Sequence, residues 1–196
     1  MIDKPQLRQQ KRRLRGLLSD HEQTSHADAV AQLITALPQF RRSQRVALYF
    51  SADSEIDTSP LLQQLRALKK KSYYPALHNR PTPLLWFIEH RQGEPLIKNR
   101  FSIPEPSIRV HQPIKPWALD LVIVPLVAFD VQCNRLGMGG GYYDRTFAYI
   151  KNRQFWHKPM LIGIAHECQR TEHVESSAWD VPLDAVVTEE KIYLKP

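Results

Sequence analysis

Two rhythms of apolar residues alternate along the chain. Leu7, Leu14, Leu17 and Leu18 form an apolar stripe at helical spacing and predict a helix over residues 4–18, with Asp3 as its cap. Pro5 falls in its first turn, where a missing N–H costs little. Ser19-Asp20-His21-Glu22 has the form of a capping box and opens a second helix. Its inward positions are Val30, Leu33, Ile34 and Leu37, and Pro38 ends it. Val46 to Phe50 is almost wholly apolar, the pattern of a strand buried on both faces. Past a polar segment, Ser59-Pro60 starts a helix with Leu61, Leu62, Leu65 and Leu68 inward, finishing on Lys69-Lys70-Lys71. Tyr73-Tyr74, Leu84 to Ile88, Leu119 to Val124, Met160 to Ala165, Ala185 to Thr188 and Ile192 to Leu194 are further strand candidates, and a helix is expected from about Tyr142 to Ile150. Eight of the fifteen prolines lie from Pro75 to Pro116, so that stretch is expected to be mostly turns and irregular chain, anchored by Trp86, Phe87, Ile97, Phe101 and Ile103. Strands alternating with helices predict an α/β layered fold around a largely parallel sheet.

At 196 residues and 22.8 kDa the chain suits a single domain, 1–196, with a proper core. Its longest apolar stretch, Leu121 to Phe129, is too short to span a bilayer. The first residues carry no hydrophobic signal region, so a cytoplasmic location is expected. Cys133 and Cys168 make no disulfide framework, and free thiols are expected. A net charge of +7 and a pI of about 9.5 suit polyanionic partners, either nucleic acid or small phosphorylated and carboxylated ligands, and equally suit simple solubility.

Residues 134–145 carry the strongest chemical signal. Four of the seven glycines fall between Gly137 and Gly141, directly before Tyr142-Tyr143-Asp144-Arg145 and ten residues beyond a buried strand. Strand, glycine loop and amphipathic segment is an arrangement that presents main-chain N–H groups to a phosphate. A tight turn feeding a helix would show the same glycines. The acidic, basic and aromatic neighbours favour the ligand loop, with Asp144 able to hold Mg²⁺ and Arg135 and Arg145 able to neutralise phosphate charge. In open parallel sheets ligands gather at the carboxyl ends of the strands, which brings the 50–55 segment, the glycine loop and His166-Glu167 to one edge. His157, His166 and His173 show no metal-ligand spacing, and His166 is expected to be structural.

The run PLVAFDVQCNRLGMGGGYYDR resembles the signature of the 5-formyltetrahydrofolate cyclo-ligases, also called methenyltetrahydrofolate synthetases, which reads approximately Pro-Gly-x-x-Phe-Asp, a few variable residues, then Arg-Leu-Gly-x-Gly-x-Gly-Tyr-Tyr-Asp. The helix beginning Lys4-Pro5-Gln6-Leu7-Arg8, the segment Ser54-Glu55-Ile56-Asp57-Thr58 and the closing Trp179-Asp180-Val181-Pro182-Leu183-Asp184 are also similar to that family, so the likeness runs from end to end. The resemblance implies a three-layer α/β/α, Rossmann-like fold and ATP- and Mg²⁺-dependent closure of 5-formyltetrahydrofolate to 5,10-methenyltetrahydrofolate. It implies that Lys4, Arg8, Arg135, Leu136, Gly137, Met138, Gly139, Gly140, Gly141, Tyr142 and Tyr143 bind ATP. Phe50, Glu55, Phe101, Met138 and Tyr142 would contact the folate, Arg135 and Tyr142 would serve catalysis, and Asp144 and Asp184 would ligate Mg²⁺. Lys11, Arg12 and Arg15 are left as a solvated basic face. The chain departs from the pattern at Met138, where some members carry arginine, at Gly140, where some carry lysine, and at Leu126, where the signature has glycine.

Two other readings stay open at this level. A phosphosugar isomerase or binder on a similar fold would use the same loop without consuming ATP. A nucleic-acid-binding protein would use Arg41-Arg42-Ser43-Gln44-Arg45 and Lys69-Lys70-Lys71, but no nucleic-acid module accompanies them. The partners expected are therefore small molecules, with no nucleic acid, no membrane and a monomeric chain.

Overall fold

The near-continuous apolar runs form the centre of a seven-stranded sheet because a strand covered on both faces has no polar side to expose. The computed structural model describes residues 3–77, 84–100, 102–152 and 159–196. Its main strands are β1 (Arg45–Ala47), β2 (Lys71–Leu77), β3 (Leu85–Glu89), β6 (Leu121–Pro125), β9 (Met160–Ile164), β10 (Ala185–Val187) and β11 (Ile192–Leu194), in the order β11-β10-β9-β6-β1-β2-β3. The five central strands are parallel, and β11 and β3 pair antiparallel at the two edges. The expected α/β fold with a mostly parallel sheet is therefore present.

Within β6 the side chains divide by period two. Leu121 and Ile123 enter one core and Val122 and Val124 the other. The first core is roofed by helices α2 (Asp20–Ala36), α3 (Pro38–Arg42) and α4 (Ser59–Ala67), through Ala27, Val30, Ile34, Phe40, Leu61 and Leu65. The capping box read at Ser19 forms: Ser19 Oγ accepts from Glu22 N–H, and Glu22 accepts from Ser19 N–H at 2.8 Å. The second core is closed by a thinner layer. It consists of α5 (Tyr142–Phe147), the hairpin β7 (Ala128–Phe129)–β8 (Arg135–Leu136), and the 181–183 segment.

Several boundaries differ from expectation. Pro38 ends α2 but occupies the first turn of α3, where its fixed φ suits a new helix. The helix expected to reach Ile150 is α-helical only to Phe147 and tightens into a 3₁₀ turn over Ala148–Asn152. The proline-rich stretch holds an unforeseen hairpin, β4 (Leu96–Lys98) with β5 (Pro104–Pro106). A strand in a two-stranded sheet uses one edge for its ladder, which is how two prolines are accommodated.

The largest difference concerns α1 (Lys4–Gly16). The leucines of its apolar stripe are not buried together: Leu17, just past the helix, is 72% exposed and Leu14 37%, while Arg15 is fully buried. The helix lies across the carboxyl edge of the sheet, packed on β7 and on the turn Glu167–Gln169. That edge offers main-chain carbonyls and carboxylates, so the basic stripe at positions 4, 8, 11 and 15 turns inward and Leu14 and Leu17 outward. The Arg41–Arg45 and Lys69–Lys71 clusters meet at the opposite, amino-terminal edge, where Lys70 Nζ donates to the carbonyls of Arg41 and Ser43.

Gly163 in β9 shows how closely the second core is packed. A Cβ there would lie 2.5 Å from Leu183 Cδ1 and 2.7 Å from Leu126 Cδ2. Its backbone φ is not in the left-handed region, so the constraint is one of space. Gly163→Ala is expected to destabilise the fold by about 1–3 kcal/mol through overpacking, read as a lower urea midpoint with an unchanged slope.

Candidate active site at the carboxyl edge

The chain leaves β1 toward β2 on one side and later enters β6 on the other, so the carboxyl ends of β1 and β6 form a topological switch point, where open α/β sheets open a crevice. The loop after β1 is tied down before it reaches that crevice. Tyr49 Oη donates to the Ile56 carbonyl at 2.8 Å, and Thr58 Oγ1 donates to the Tyr49 carbonyl at 2.8 Å. At its tip Asp53 and Ser54 both adopt positive φ, 52° and 56°. Such conformations cost L-residues energy unless their surroundings hold them. Here Arg12 Nε and Arg15 Nη2 both donate to Asp53 Oδ2, at 2.6 and 2.8 Å. These two guanidinium groups hold the Asp53 carboxyl below its usual range, the Arg12 hydrogen bond acting most strongly on the charged form.

Arg15 joins both sides of the crevice. Its Nη1 donates to the carbonyl of Leu126, just past β6, at 3.3 Å. Lys11 Nζ donates to the carbonyls of Cys168 and Arg170, the former at 3.0 Å. Lys11, Arg12 and Arg15 are therefore docking groups and not the solvated face expected of them. No pattern within the helix alone shows this, although the spacing of Arg15 from Lys4, Arg8 and Lys11 places all four on one stripe.

The glycine loop lies beneath the same helix. Arg8 Nε donates to the Gly137 carbonyl at 2.8 Å, and Arg145 Nη1 donates to the Gly140 carbonyl at 2.6 Å. Gly139 and Gly141 have φ of 100° and 64°, a region that glycine adopts without steric cost. A Cβ on Gly140 would meet the Tyr142 ring at 2.9 Å. Among the described residues none accepts a hydrogen bond from the main-chain N–H of Gly139, Gly140 or Gly141. Met138 is 56% exposed on this loop. Lys4 sits farther along the helix, donating to Ser177 Oγ at 3.3 Å and lying 3.9 Å from Asp180 Oδ2.

Beyond the loop, Arg135 Nη2 donates to Asp144 Oδ1 at 2.6 Å, and Val181 N–H donates to the same oxygen at 3.0 Å. Arg135 Nη1 donates to the Val181 carbonyl. Burial works against the Arg135 charge, with Asp144 the first group to offset it. Asp144 is thus anchored through one oxygen, and among the described residues no hydrogen bond engages Oδ2. Tyr143 is raised far above the ordinary phenol range, by burial first and by the nearby Glu55 carboxylate second. Burial also raises Glu55 itself, with the Arg15 guanidinium 3.9 Å away opposing the shift. Arg8 and Arg15 of one helix therefore reach the glycine loop and the Glu55 loop respectively.

Other expected residues lie nearby or apart. Phe50 is half-buried and stacks on Tyr74 at 4.2 Å between ring centroids. Tyr142 pairs through its hydroxyl with Arg100. Leu136 is buried with Leu7, Ala128 and Val174, which fixes the hairpin under α1. Asp184 has a different setting from Asp144. Its Oδ2 accepts from Leu161 N–H at 2.7 Å, where β9 and β10 begin, at the amino-terminal edge of the sheet. Phe101 and His157 lie outside the described residues.

His166 is structural in the sense that it is fully buried, but it was read in isolation. It meets His26 and Glu189, two residues that sequence spacing did not connect with it. Cys133 and Cys168 are both free thiols, as expected.

The model of the 5-formyltetrahydrofolate cyclo-ligase family matches residues 1–189. The chain is 38% identical over 183 residues to a 5-formyltetrahydrofolate cyclo-ligase of Escherichia coli K12, covering 93% of this chain and 98% of that protein. It is also 38% identical over 178 residues to the Haemophilus influenzae protein of the same name, covering 91% and 93%. Its fold is similar to the Aquifex aeolicus 5,10-methenyltetrahydrofolate synthetase solved by NMR, with a TM-score of 0.80 and 30% identity over 97% of this chain and 92% of that one. Sequence and fold agree over almost the whole length: the chain belongs to the 5-formyltetrahydrofolate cyclo-ligase family.

Proposed function

We propose that this protein converts 5-formyltetrahydrofolate and ATP to 5,10-methenyltetrahydrofolate, ADP and phosphate in the crevice between the Glu55 loop and the glycine loop. The observation that carries the reading is the convergence of those loops on one helix, since Arg8 of α1 donates to Gly137 of one while Arg12 and Arg15 donate to Asp53 of the other. A formyl amide is a poor electrophile, and its oxygen leaves poorly. Phosphoryl transfer to that oxygen relieves both difficulties, the second folate nitrogen then closes the five-membered ring, and phosphate departs. Ring closure within one molecule draws its acceleration chiefly from orientation, and phosphoryl transfer chiefly from alignment and charge neutralisation.

The chain's own groups suit those demands. Main-chain N–H groups of Gly139–Gly141 and the guanidinium of Arg8 present positive potential to a polyphosphate, with Lys4 farther along the helix. Arg135, turned inward onto Asp144, is best suited to position that carboxylate. Asp144 fits a Mg²⁺ ligand because one of its oxygens is fixed and the other is not engaged among the described residues. When bound, Mg²⁺ would neutralise the phosphate charge that builds during transfer. Asp184, which the resemblance implies as a second metal ligand, lies at the amino-terminal edge of the sheet, where its Oδ2 accepts from Leu161 N–H and holds the start of β9 beside β10. Glu55, in its ionised form, can accept two parallel hydrogen bonds from the amino-pyrimidine edge of a pterin. The stacked Phe50–Tyr74 pair supplies an aromatic surface beside it. We place the reaction in the cytoplasm of the source cell, and no described helix is long and apolar enough to cross a membrane.

With Mg²⁺-ATP, ADP release is expected to depend on 5-formyltetrahydrofolate and to match the near-ultraviolet absorbance of the methenyl product one for one. Folded protein that gives no turnover would overturn the reading. Asp144→Asn is expected to lower kcat by about 10²-fold or more, in line with the loss of a principal charge-stabilising group, and to lower Tm as well because buried Arg135 loses its charge partner, so kcat is read below the variant's Tm. Glu55→Gln is expected to raise KM for the folate by about 10- to 100-fold, the scale of a hydrogen bond to a charged group. The native KM is expected to rise on acidification. Burial raises the Glu55 pKa, so the accepting carboxylate form is lost as pH falls through a value above that of an exposed glutamate. A KM flat across that range in the native enzyme would remove Glu55 from this role.

A further inference from the structure

β9 and β10 end side by side, with Ala165 N–H donating to the Val187 carbonyl at 3.2 Å. The residues that follow, His166 and Glu189, therefore emerge together at the carboxyl edge, and α2 crosses above them carrying His26. His26 Nδ1 lies 2.9 Å from His166 Nδ1 and 3.4 Å from Glu189 Oε1. All three donor atoms fall within 4.8 Å of one another. We propose that His26, His166 and Glu189 form a three-ligand site for a divalent transition cation of the zinc type, separate from the magnesium of the nucleotide.

Protons alone satisfy this cluster only in part. Three lone-pair-bearing atoms converge, and only one ring proton fits between the two Nδ1 atoms. If His166 carries it, the His26 lone pair faces the Glu189 carboxylate. If His26 carries it, the His166 proton moves to Nε2, which is buried without a hydrogen-bond partner of ordinary geometry. A cation among the three lone pairs removes the first conflict. The second remains in either case, because Nε2 then keeps its proton, a form that the Ser54 main chain favours.

Two of the three spacings are close to those of a tetrahedral site, and the third is within 4.8 Å. Tetrahedral zinc with bonds of about 2.0–2.1 Å sets its ligands roughly 3.3 Å apart. The His26–Glu189 spacing already matches, and the two imidazoles need to open by a few tenths of an ångström. The carboxylate is held for the task, because Glu167 N–H donates to both Glu189 oxygens at 3.1 and 3.0 Å. Glu167 in turn accepts from Arg170 Nε, Thr188 Oγ1 and Tyr193 Oη at 2.6, 2.9 and 2.6 Å. Burial, followed by the neighbouring His26, lowers His166 to about 4, which keeps the ring neutral and able to ligate at pH 7. Two nitrogen donors and one oxygen select a zinc-type ion over Mg²⁺. The side chains of His26 and Glu189 remain 21% and 16% exposed, which leaves a route for the ion and a fourth position for water.

The test uses full-length protein stripped with a chelator and held in excess Mg²⁺, so that any oxygen-donor site stays filled. Calorimetric titration with Zn²⁺ is expected to show one equivalent bound that Mg²⁺ does not displace, with a rise in Tm. Co²⁺ is expected to give visible d–d bands of four-coordinate intensity. His26→Gln and Glu189→Gln, checked for folding by circular dichroism, are each expected to weaken Zn²⁺ binding by about tenfold or more and to abolish the rise in Tm. Absence of stoichiometric binding, or binding that both variants leave unchanged, would overturn the proposal.

Discussion

The arrangement of this molecule depends on one buried guanidinium. Arg15 is fully enclosed and reaches the loop after β1 through Asp53 and the loop after β6 through Leu126, the two segments that diverge at the switch point. A buried charge without a partner costs several kcal/mol, so removing either acceptor would be expensive. Asp53 meets that demand from a strained left-handed turn, which Arg12 helps to hold. Fixing Arg15 fixes α1, and the register of α1 then delivers Arg8 to the glycine loop, three and four residues closer to the amino terminus per contact.

This docking inverts the usual logic of an amphipathic helix. Apolar stripes turn inward where the surface below is apolar. Below α1 lie the carboxyl ends of parallel strands and their loops, a surface of carbonyl oxygens and carboxylates. Lys4, Arg8, Lys11 and Arg15 each find an acceptor there, and only Leu7 reaches a small apolar patch with Ala128, Leu136 and Val174. The helix is held mainly by polar contacts, several of them part-exposed, and individually such contacts contribute little. Polyphosphate bound beneath it would meet Arg8 already in place.

What the sequence revealed and what it concealed divide along physical lines. The central strands were legible because burial on both faces leaves a continuous apolar run, and the glycine loop because the positive φ of Gly139 and Gly141 favours glycine. Local signals such as the Ser19 capping box were equally plain. The inward face of α1 was not, since its partners stand from 38 to 173 positions away and the helix carries leucines that suggest the opposite orientation. The His26–His166–Glu189 cluster was hidden for the same reason. Its members come from a helix and two strand ends, and no spacing within one element joins them. The hairpin of β4 and β5 was obscured by prolines that a two-stranded sheet tolerates.

The acidic residues around the sheet show how structure and chemistry are separated. Asp120 accepts from the N–H groups of Gln44 and Arg45, Asp130 from those of Gln132, Asn134 and Val174, and Asp184 from that of Leu161. Each closes a turn or a strand end through those main-chain contacts. Glu55 is treated otherwise. It is buried enough to be raised above the ordinary carboxylate range, yet among the described residues its one main-chain contact, from Ala52 N–H, is long at 3.3 Å, and Arg15 stands off at 3.9 Å. A carboxylate kept dry and under-satisfied is costly to the fold. It persists because Tyr49, Thr58 and the Arg15–Asp53 pair tie down the loop around it on every side. The hydrogen-bonding capacity that the fold leaves unused at Glu55 is what a planar array of ligand donors would complete, and this distinguishes it from the other carboxylates of the sheet more sharply than its position in the sequence does.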